Sequence, residues 1–414
     1  MFMDHMIERD IEEEIIRWLD SRQIIAIHGT RQCGKTTFLK RLAEILLERK
    51  VGEGEIHFIS FEDDIEKEKF EDNPRDYIRY YLQNDTRKHF FLLDEVQYIK
   101  SAGKLLKLIY DEIENAKIIV TGSSTLDINE IGSYLVGRVL LFEMYPFSFP
   151  EFLRAKNEKL LRYYKEKRMD LKKPVIRKEK LIFLKELNDH LREYVTYGGY
   201  PAVVLEKDFG KKKILLKNIF LTYIEKDIVK IYGPRYRQKV SVLIRHLSSI
   251  NAGIINYNEL SGLTGLYDKE VKEILSILED TYIIKLLRPF HQNLTTELRK
   301  NPKVYFIDTG LRNFITGRFE FSEEEYGKLL ENYVLGKLRD DKTNYWRTTA
   351  KAEVDFVLGG KIPIEIKMQP KITRSFRSFI GSYKPPAAFL ANLNTYEKRK
   401  IGSTSVFLVP LVLL

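Results

Sequence analysis

The chain of 414 residues contains a single cysteine, Cys33, which excludes an internal disulfide. Such sparse cysteine usage is typical of proteins from a reducing compartment, so we expect a cytoplasmic location. No apolar run reaches the roughly 20 residues that a membrane-spanning helix needs, so we expect no membrane association. Residues 1–17 have the pattern of a charged amphipathic helix and not of a secretory signal. No pattern of cysteine and histidine predicts a zinc site.

Acidic residues are outnumbered by basic ones, 59 to 69, which gives a net charge of +10. A basic chain favours an anionic partner, and DNA is the first candidate, although a solvated basic surface is the alternative. The hydrophobic fraction of 44% is that of an ordinary globular protein. Because the length exceeds that of one typical domain, we expect two or three.

A glycine loop at residues 29–36 fits the phosphate-loop pattern G-x-x-x-x-G-K-S/T. A β-branched segment precedes it at 24–28, and apolar residues at helical spacing follow at 37–47. In this context the backbone N–H groups and the helix N-terminus would hold a polyphosphate, with Lys35 on the β- and γ-phosphates and Thr36 on Mg²⁺. The sequence therefore predicts that ATP and Mg²⁺ are bound. The predicted nucleotide-binding residues are Gly29, Thr30, Arg31, Gln32, Cys33, Gly34, Lys35, Thr36 and Thr37.

A second apolar segment, residues 89–93, ends in the acidic pair Asp94 and Glu95. A buried parallel strand delivers its carboxyl end to the ligand in open α/β sheets. We expect Asp94 to bind Mg²⁺ through water and Glu95 to orient or deprotonate the attacking water. The alternative is an ordinary boundary between a strand and a loop.

A further predicted strand, residues 117–121, leads into Ser123, whose hydroxyl is placed to sense the γ-phosphate. A helix is predicted over 126–135, and Arg138 then precedes another strand at 139–142. In ring-forming AAA-plus ATPases an arginine at this point reaches the site of the neighbouring subunit. Arg138 is accordingly a candidate trans arginine finger. A surface or helix-capping arginine is the alternative.

Together these segments resemble a large archaeal and bacterial family of AAA-plus-type ATPases that carry a C-terminal domain of unknown function. The resemblance continues to the C-terminus and implies that residues 198–201 form part of a lid over the nucleotide. A purely structural turn is the alternative. The segments that carry the resemblance are 29–37, 93–97, 121–124, 135–138, 145–153 and 198–202.

The middle of the chain predicts a linker and two helical regions. Residues 154–180 are basic and lack helical periodicity, so they are either a non-specific phosphate contact or a solvated linker. A helical region follows over about 182–235. Residues 236–300 then suit a winged helix, with helices at 240–247, 257–263 and 268–278 and a wing strand at 282–287. Whether this module would contact DNA or protein stays open.

A third motif lies near the C-terminus, where two alternating segments flank Gly359 and Gly360. They predict a β-hairpin that sets Asp355 opposite Glu365 and leaves Lys367 on the face of Glu365. Two carboxylates and a lysine suit a Mg²⁺ site beside an attacked phosphate, with Asp355 and Glu365 as metal ligands. This spacing resembles the restriction-endonuclease-like PD-(D/E)xK superfamily, in which the helical Glu331 would match an additional acid. An exposed charge network is the alternative.

The predicted fold class is α/β: a P-loop NTPase with an AAA-plus-like parallel sheet, a helical lid with winged helix, and a restriction-endonuclease-like α/β domain. The predicted boundaries are 1–153, 154–235, 236–300 and 301–414. The predicted function is an ATP- and Mg²⁺-dependent enzyme on duplex or branched DNA, whose nucleotide state controls the C-terminal site. The alternative is a nucleotide switch or DNA-remodelling motor whose C-terminal domain binds DNA or a protein partner without cleaving. A homo-oligomeric ring and a monomer both remain open.

Overall fold

A computed structural model describes residues 6–83, 85–122, 132–177, 180–290, 300–338 and 342–414. The chain divides into an N-terminal unit, Met1–Phe147 with Asp280–Tyr282, and a C-terminal unit, Ser148–Glu279 with Ile283–Leu414. The predicted boundaries at 153, 235 and 300 stay predictions. None of the helices in the described ranges is long and apolar enough to cross a membrane.

The N-terminal unit is built on a five-stranded parallel sheet with the order β2-β3-β4-β1-β5. Strands β1 and β3 are buried along their whole length, as expected for central parallel strands covered on both faces. The strands are β1 Ile24–Gly29, β2 Ile56–Ser60, β3 His89–Asp94, β4 Ala116–Gly122 and β5 Val139–Met144. The helices are α1 Glu12–Ile16, α2 Lys35–Glu48, α3 Asp64–Asp72, α4 Pro74–Leu82 and α5 Ala102–Glu112.

Successive residues of β1 face opposite sides of this sheet and join two separate cores. Ile25 and Ile27 pack with the apolar face of α2, while Ile24 and Ala26 pack with residues of α3, α4 and α5. The unit is therefore a three-layer α/β/α arrangement. Because its strands are parallel, all their carboxyl ends lie at one edge of the sheet, where ligands bind in open α/β folds.

Gly29 ends β1 where the chain passes very close to β5. Its backbone pairs with Met144, and its φ of +147° is one that side-chain-bearing residues rarely adopt. A Cβ added at Gly29 would lie 1.8 Å from the Met144 carbonyl oxygen. The first glycine of the loop is therefore needed for packing as well as for its turn.

The C-terminal unit begins with a run of helices. The prediction that residues 154–180 lack helical periodicity is wrong for Glu158–Lys167, which is a helix burying Leu160, Leu161 and Tyr164. Its charged residues mask that apolar face in the sequence. The helices of this unit are α6 Phe149–Lys156, α7 Glu158–Lys167, α8 Leu184–Tyr197, α9 Pro201–Leu205, α10 Phe209–Tyr223, α11 Val229–Tyr232, α12 Arg237–Ser249, α13 Tyr257–Thr264, α14 Asp268–Asp280, α15 Thr309–Thr316, α16 Glu323–Lys337 and α17 Arg374–Tyr383.

The turn between α8 and α9 is fixed by a buried aspartate. Asp308 accepts a hydrogen bond from the Gly199 N–H at 2.7 Å and caps α15 through the Leu311 N–H at 2.8 Å. A Cβ on Gly198 would lie 2.1 Å from the Asp308 carboxylate. These contacts explain the two glycines structurally, and their role in a lid stays a prediction.

Helices α12, α13 and α14 are followed by β6 Ile284–Leu287, which pairs antiparallel with β7 Lys303–Phe306. The helices begin and end within a few residues of the predicted ones. The exposed residues of α14 include Lys269, Lys272 and Glu273, so this face carries both signs of charge. The assignment as a winged helix stays a prediction.

The C-terminal sheet has six strands in the order β12-β13-β11-β10-β9-β8. Strands β9 and β10 form the predicted antiparallel hairpin, in which Ile364 pairs with Phe356, and the tail forms the buried strand β13. Helices α16 and α17 pack against this sheet. The strands are β8 Thr343–Arg347, β9 Glu353–Leu358, β10 Ile362–Ile366, β11 Ala387–Asn392, β12 Glu397–Ile401 and β13 Thr404–Pro410.

We predict that Gly29→Ala destabilises the N-terminal unit by about 1–3 kcal/mol, because its methyl group overlaps the Met144 carbonyl. Thermal unfolding measures the change. Gly54→Ala is the control, since a Cβ there meets nothing within 4 Å. Equal melting temperatures for the two variants would contradict the prediction.

Candidate functional site

The carboxyl edge of the parallel sheet gathers a hydrogen-bonded group around Asp94, at the end of β3. The Thr36 hydroxyl donates to Asp94 Oδ2 at 2.8 Å, and the Thr121 hydroxyl donates to Oδ1 at 2.5 Å. Thr36 lies in the first turn of α2 and Thr121 near the end of β4. Both carboxylate oxygens are therefore oriented by hydroxyl groups from neighbouring elements.

Lys35 is almost fully buried beside the glycine loop. Its ammonium donates to the backbone oxygens of Gly29 and Thr30, each at 3.1 Å. The Thr30 hydroxyl is buried without a hydrogen-bond partner among the described residues. Gly34 caps α2 in a left-handed conformation at φ +96°, which the loop needs in order to turn into the helix. The loop thus offers N–H groups, an ammonium and an unused hydroxyl to a ligand.

Glu95, directly after β3, has a left-handed backbone at φ +60°. Such a conformation costs a non-glycine residue of the order of 1–3 kcal/mol and is found preferentially at functional sites. Its N–H donates to the Thr121 hydroxyl at 2.9 Å, and the Gln97 side chain donates to its carboxylate. Thr121 therefore fixes both members of the acidic pair.

Arg138 lies at the other end of the sheet from the glycine loop. Its carbonyl accepts from the Ile24 N–H at the start of β1, and its Nε donates to Asp111 at 2.9 Å. Five strand residues, roughly 17 Å, separate this edge from the loop. Arg138 therefore does not serve the site of its own chain, and its role in a neighbouring copy stays a prediction. Ser123 lies outside the described residues.

Arg9 is a contact of the loop that the sequence did not indicate. It donates to the Cys33 carbonyl at 2.9 Å and to the Tyr145 carbonyl at 2.7 Å, and its guanidinium lies 4.9 Å from the centre of the Phe147 ring. These bonds tie the glycine loop to the segment after β5. No local pattern around Arg9 predicts this, because its partners are distant in sequence.

Comparison with known proteins agrees with this geometry. Residues 21–153 match a protein family described as an AAA domain. These residues have the α/β fold of a P-loop NTPase. Residues 188–322 and 326–414 match two families described as domains of unknown function, DUF8612 and DUF4143. The predicted AAA-type fold is confirmed for the first part of the chain.

Relatives of the whole chain occur in archaea and bacteria. An uncharacterized protein of Methanocaldococcus jannaschii is 29% identical over 86% of this chain and 76% of its own length. Another from Haemophilus influenzae is 25% identical over 83% of this chain and 82% of its own. Domain III of the Thermotoga maritima replication initiation protein DnaA has a TM-score of 0.30 and 16% identity, over 52% of this chain and 94% of that one. A score this low adds nothing to the fold described above.

The second predicted site, outside the AAA domain, lies on the β9–β10 hairpin. Asp355 and Glu365 are buried on adjacent strands, and Asp355 Oδ2 accepts from the Ile366 N–H at 2.7 Å. The Lys367 ammonium lies 3.3 Å from Glu365 and 3.9 Å from Asp355. The structure thus brings these three predicted residues together. Thr373, at the start of α17, donates to both oxygens of Glu365 at 2.8 and 3.0 Å and was not predicted.

Glu331, on α16, is engaged by residues of β7. Its carboxylate lies 3.8 Å from the ammonium of the buried Lys303 and accepts a 3.4 Å hydrogen bond from the Tyr305 hydroxyl. Lys303 also pairs with Glu353 at 2.6 Å. Lys303 is not predictable from the sequence, since nothing in its local sequence links it to Glu353, 50 residues further on.

Burial and crowding of acids perturb both glutamates. Burial raises the pKa of Glu365 to about 7, and Asp355 adds to this while Lys367 opposes it. Burial and then Asp355 raise the pKa of Glu331 to about 8 against the pull of Lys303. Burial lowers the pKa of Lys367, but Asp355 and Glu365 outweigh it and leave that pKa raised. The site is therefore short of positive charge.

A cleft of about 650 Å³ opens beside this second site. Its lining includes Glu331, Lys367 and Thr373 together with Lys328 and Lys371. Within the described ranges, no group of three or more histidines, cysteines and acids stands close enough to hold a metal ion. A cation here would therefore rely on one or two carboxylates and on oxygens of its substrate, as Mg²⁺ commonly does.

We predict that, without divalent cations, the contribution of Glu365 to the free energy of unfolding falls as pH rises from about 4.5 to about 7. Unfolded Glu365 ionises in this range while the folded carboxyl keeps its proton, so at this position the unfolded state binds fewer protons. Glu365→Gln removes this contribution, so the slope of its stability against pH should be more positive than that of the wild type. Melting temperatures across this pH range in EDTA measure it, with the exposed Glu320→Gln as control. Equal slopes for Glu365→Gln and the wild type would contradict the assignment.

Proposed function

We propose that the chain is an ATP- and Mg²⁺-dependent ATPase acting on DNA, whose nucleotide state controls its C-terminal site. The observation that carries the first half is the orientation of Asp94 by the hydroxyls of Thr36 and Thr121. A threonine and an aspartate so paired at the end of a glycine loop are the protein ligands that P-loop NTPases give to Mg²⁺.

In this proposal the loop residues bind the nucleotide, and Asp94 and Glu95 promote its hydrolysis. The ammonium of Lys35 would exchange its bonds to Gly29 and Thr30 for phosphate oxygens, and Thr36 and Asp94 would hold Mg²⁺. Bound Mg²⁺ neutralises charge on the phosphates. The Glu95 carboxylate would orient the attacking water and accept its proton. Its fixed backbone and the Gln97 amide limit where that carboxylate can point.

Arg138 completes the proposal only if copies of the chain associate. An arginine at the far edge of the sheet reaches a second nucleotide rather than its own. Its ion pair with Asp111 is partly exposed, so breaking it costs about 1 kcal/mol or less. Such a pair can be exchanged for a phosphate contact without disturbing the sheet.

For residues 301–414 we propose a restriction-endonuclease-like domain that acts on the phosphodiester backbone of duplex or branched DNA. Asp355 and Glu365 would hold Mg²⁺, and Lys367 would offset charge at the attacked phosphate. The proximity of Asp355, Glu365 and Lys367 supports this assignment, while the cleft beside them is lined by both lysines and glutamates. A divalent cation would also offset the surplus of buried carboxylates.

The environment of Glu331 favours a second candidate function. Burial raises its pKa to about 8, so the group keeps its proton near pH 7, and a protonated carboxyl is a poorer metal ligand. This suits a domain that binds DNA or protein without cutting. In that case the chain is a nucleotide switch or a DNA-remodelling motor. Strong stimulation of ATP turnover by DNA favours an enzyme on DNA, whereas DNA-insensitive turnover favours a switch.

We predict that Glu95→Gln keeps ATP affinity within about two-fold and lowers turnover by roughly 10²-fold or more, because the amide cannot accept the water proton. Phosphate release and binding of a non-hydrolysable ATP analogue measure the two effects. Lys35→Ala is the comparison and should lose binding itself. Wild-type turnover by Glu95→Gln would exclude Glu95 as the base.

We predict that the wild type cuts DNA in the presence of Mg²⁺ or Mn²⁺ and that Asp355→Ala does not. Labelled single-stranded, duplex and branched DNA, with and without ATP, test this. Glu353→Ala is the matched control, because Glu353 lies two residues away on the same strand and pairs with Lys303 and not Lys367. An uncut panel with intact ATP turnover would support the switch or motor instead.

A further inference from the structure

Tyr282 belongs to the N-terminal unit although most of its neighbours in the chain do not. In the chain it lies between α14 and β6, whose other residues belong to the C-terminal unit, but Asp280–Tyr282 belongs by its contacts to the N-terminal unit. The sequence predicted Tyr282 to begin a wing strand, whereas β6 begins at Ile284. The Tyr282 side chain instead contacts His28 on β1 of the parallel sheet.

The Tyr282 side chain is buried in a polar cluster at the carboxyl end of β1 and β5. Its hydroxyl lies 2.5 Å from His28 Nδ1 and 3.3 Å from Glu143 Oε1. Its ring meets that of Tyr145 edge-on at 5.4 Å, and the Tyr145 hydroxyl bonds the other oxygen of Glu143 at 2.6 Å. Tyr282 also has a left-handed backbone at φ +60°, a strain that must be offset by these contacts.

His28 is the last residue of β1 before the glycine loop. Burial lowers its pKa, the nearby Lys35 lowers it further, and Glu143 opposes both. The imidazole is therefore neutral near pH 7, and Nδ1 can accept the Tyr282 proton. Burial also raises the pKa of the Tyr282 hydroxyl, which keeps it a donor. His28 thus connects Tyr282 to the glycine loop. It is hydrogen-bonded to Tyr282, it precedes Gly29 in the chain, and the charge of Lys35 acts on its imidazole.

We propose that Tyr282 is a positioning residue for the phosphate loop, acting through His28, and that it couples nucleotide binding to the segment joining α14 to β6. The inference rests on the proposed ATP binding. The inference goes beyond that proposal because it names Tyr282 as the residue through which a bound nucleotide affects the region matching DUF8612.

The coupling follows from the bonds that a nucleotide would change. Lys35 now holds the carbonyls of Gly29 and Thr30. When phosphate takes the ammonium, these carbonyls and the backbone that follows His28 lose a restraint, and the charge facing the imidazole changes. The His28–Tyr282 bond then differs in strength between the two states. By linkage, fixing or removing that bond must alter nucleotide affinity.

The test combines Tyr282→Phe, which removes only the hydroxyl, with His28→Leu, which removes the acceptor. We expect each to change affinity for a non-hydrolysable ATP analogue by roughly 3- to 10-fold, the range of one buried hydrogen bond. The double variant should show no more than the larger single effect. Hydrogen exchange in residues 280–287 should respond to the analogue in the wild type and stop responding in Tyr282→Phe.

Tyr145→Phe is the matched control, because it removes a tyrosine hydroxyl from the same Glu143 without touching His28. It should keep both the affinity and the exchange response. In His28→Asn the amide oxygen can replace Nδ1 as acceptor. Affinity and exchange response closer to the wild type than those of His28→Leu would support the hydrogen bond itself as the cause. Wild-type affinity and exchange in Tyr282→Phe, or additive single effects, would overturn the inference. A wild type that binds no nucleotide would instead overturn the proposed function.

Discussion

The placement of the Asp94 carboxylate is the constraint on which the N-terminal site depends. Asp94 is buried at the end of β3, and a buried carboxylate is tolerated only when its oxygens are hydrogen-bonded or paired with cations. Thr121 and Thr36 supply those bonds from the neighbouring strand and from the helix after the loop. The Thr121 bond joins β3 to β4, and the Thr36 bond joins β3 to α2. The parallel sheet therefore does more than carry the site, since its strand order determines which hydroxyls can reach Asp94.

At the hairpin site the buried carboxylates have different partners. Asp355 accepts from a backbone N–H and Glu365 from the Thr373 hydroxyl. Among the described residues, Lys367 is the ammonium that lies within 4 Å of both. Burial without enough cations raises the pKa of Glu365 to about 7. The site thus keeps buried acids with raised pKa values next to an open cleft. Replacing buried charged groups by apolar residues of similar size is often neutral or stabilising, so packing alone does not explain them.

Much of the fold could be predicted because its signals are local. The strand before the glycine loop, the helix after it and the Gly359–Gly360 hairpin all follow from periodicity and turn residues within about 15 positions. Helix α7 was missed although Leu160, Leu161 and Tyr164 share one face, since its many charges suggested a linker. Lys303 and Arg9 could not be predicted, because their partners lie 24 or more residues away in the sequence. A single basic residue also forms no motif that could be recognised by its spacing.

Non-glycine residues with a left-handed backbone occur both at helix ends and beside the candidate nucleotide site. Gln83 and Lys384 take positive φ at the C-terminal ends of helices, where such caps are common. Gln32, Glu95 and Tyr282 do so elsewhere: in the glycine loop, directly after β3 and beside His28. None of these three is a glycine, so each conformation must be offset by its surroundings. The contacts that offset this strain therefore hold the candidate base and the tyrosine in defined geometry.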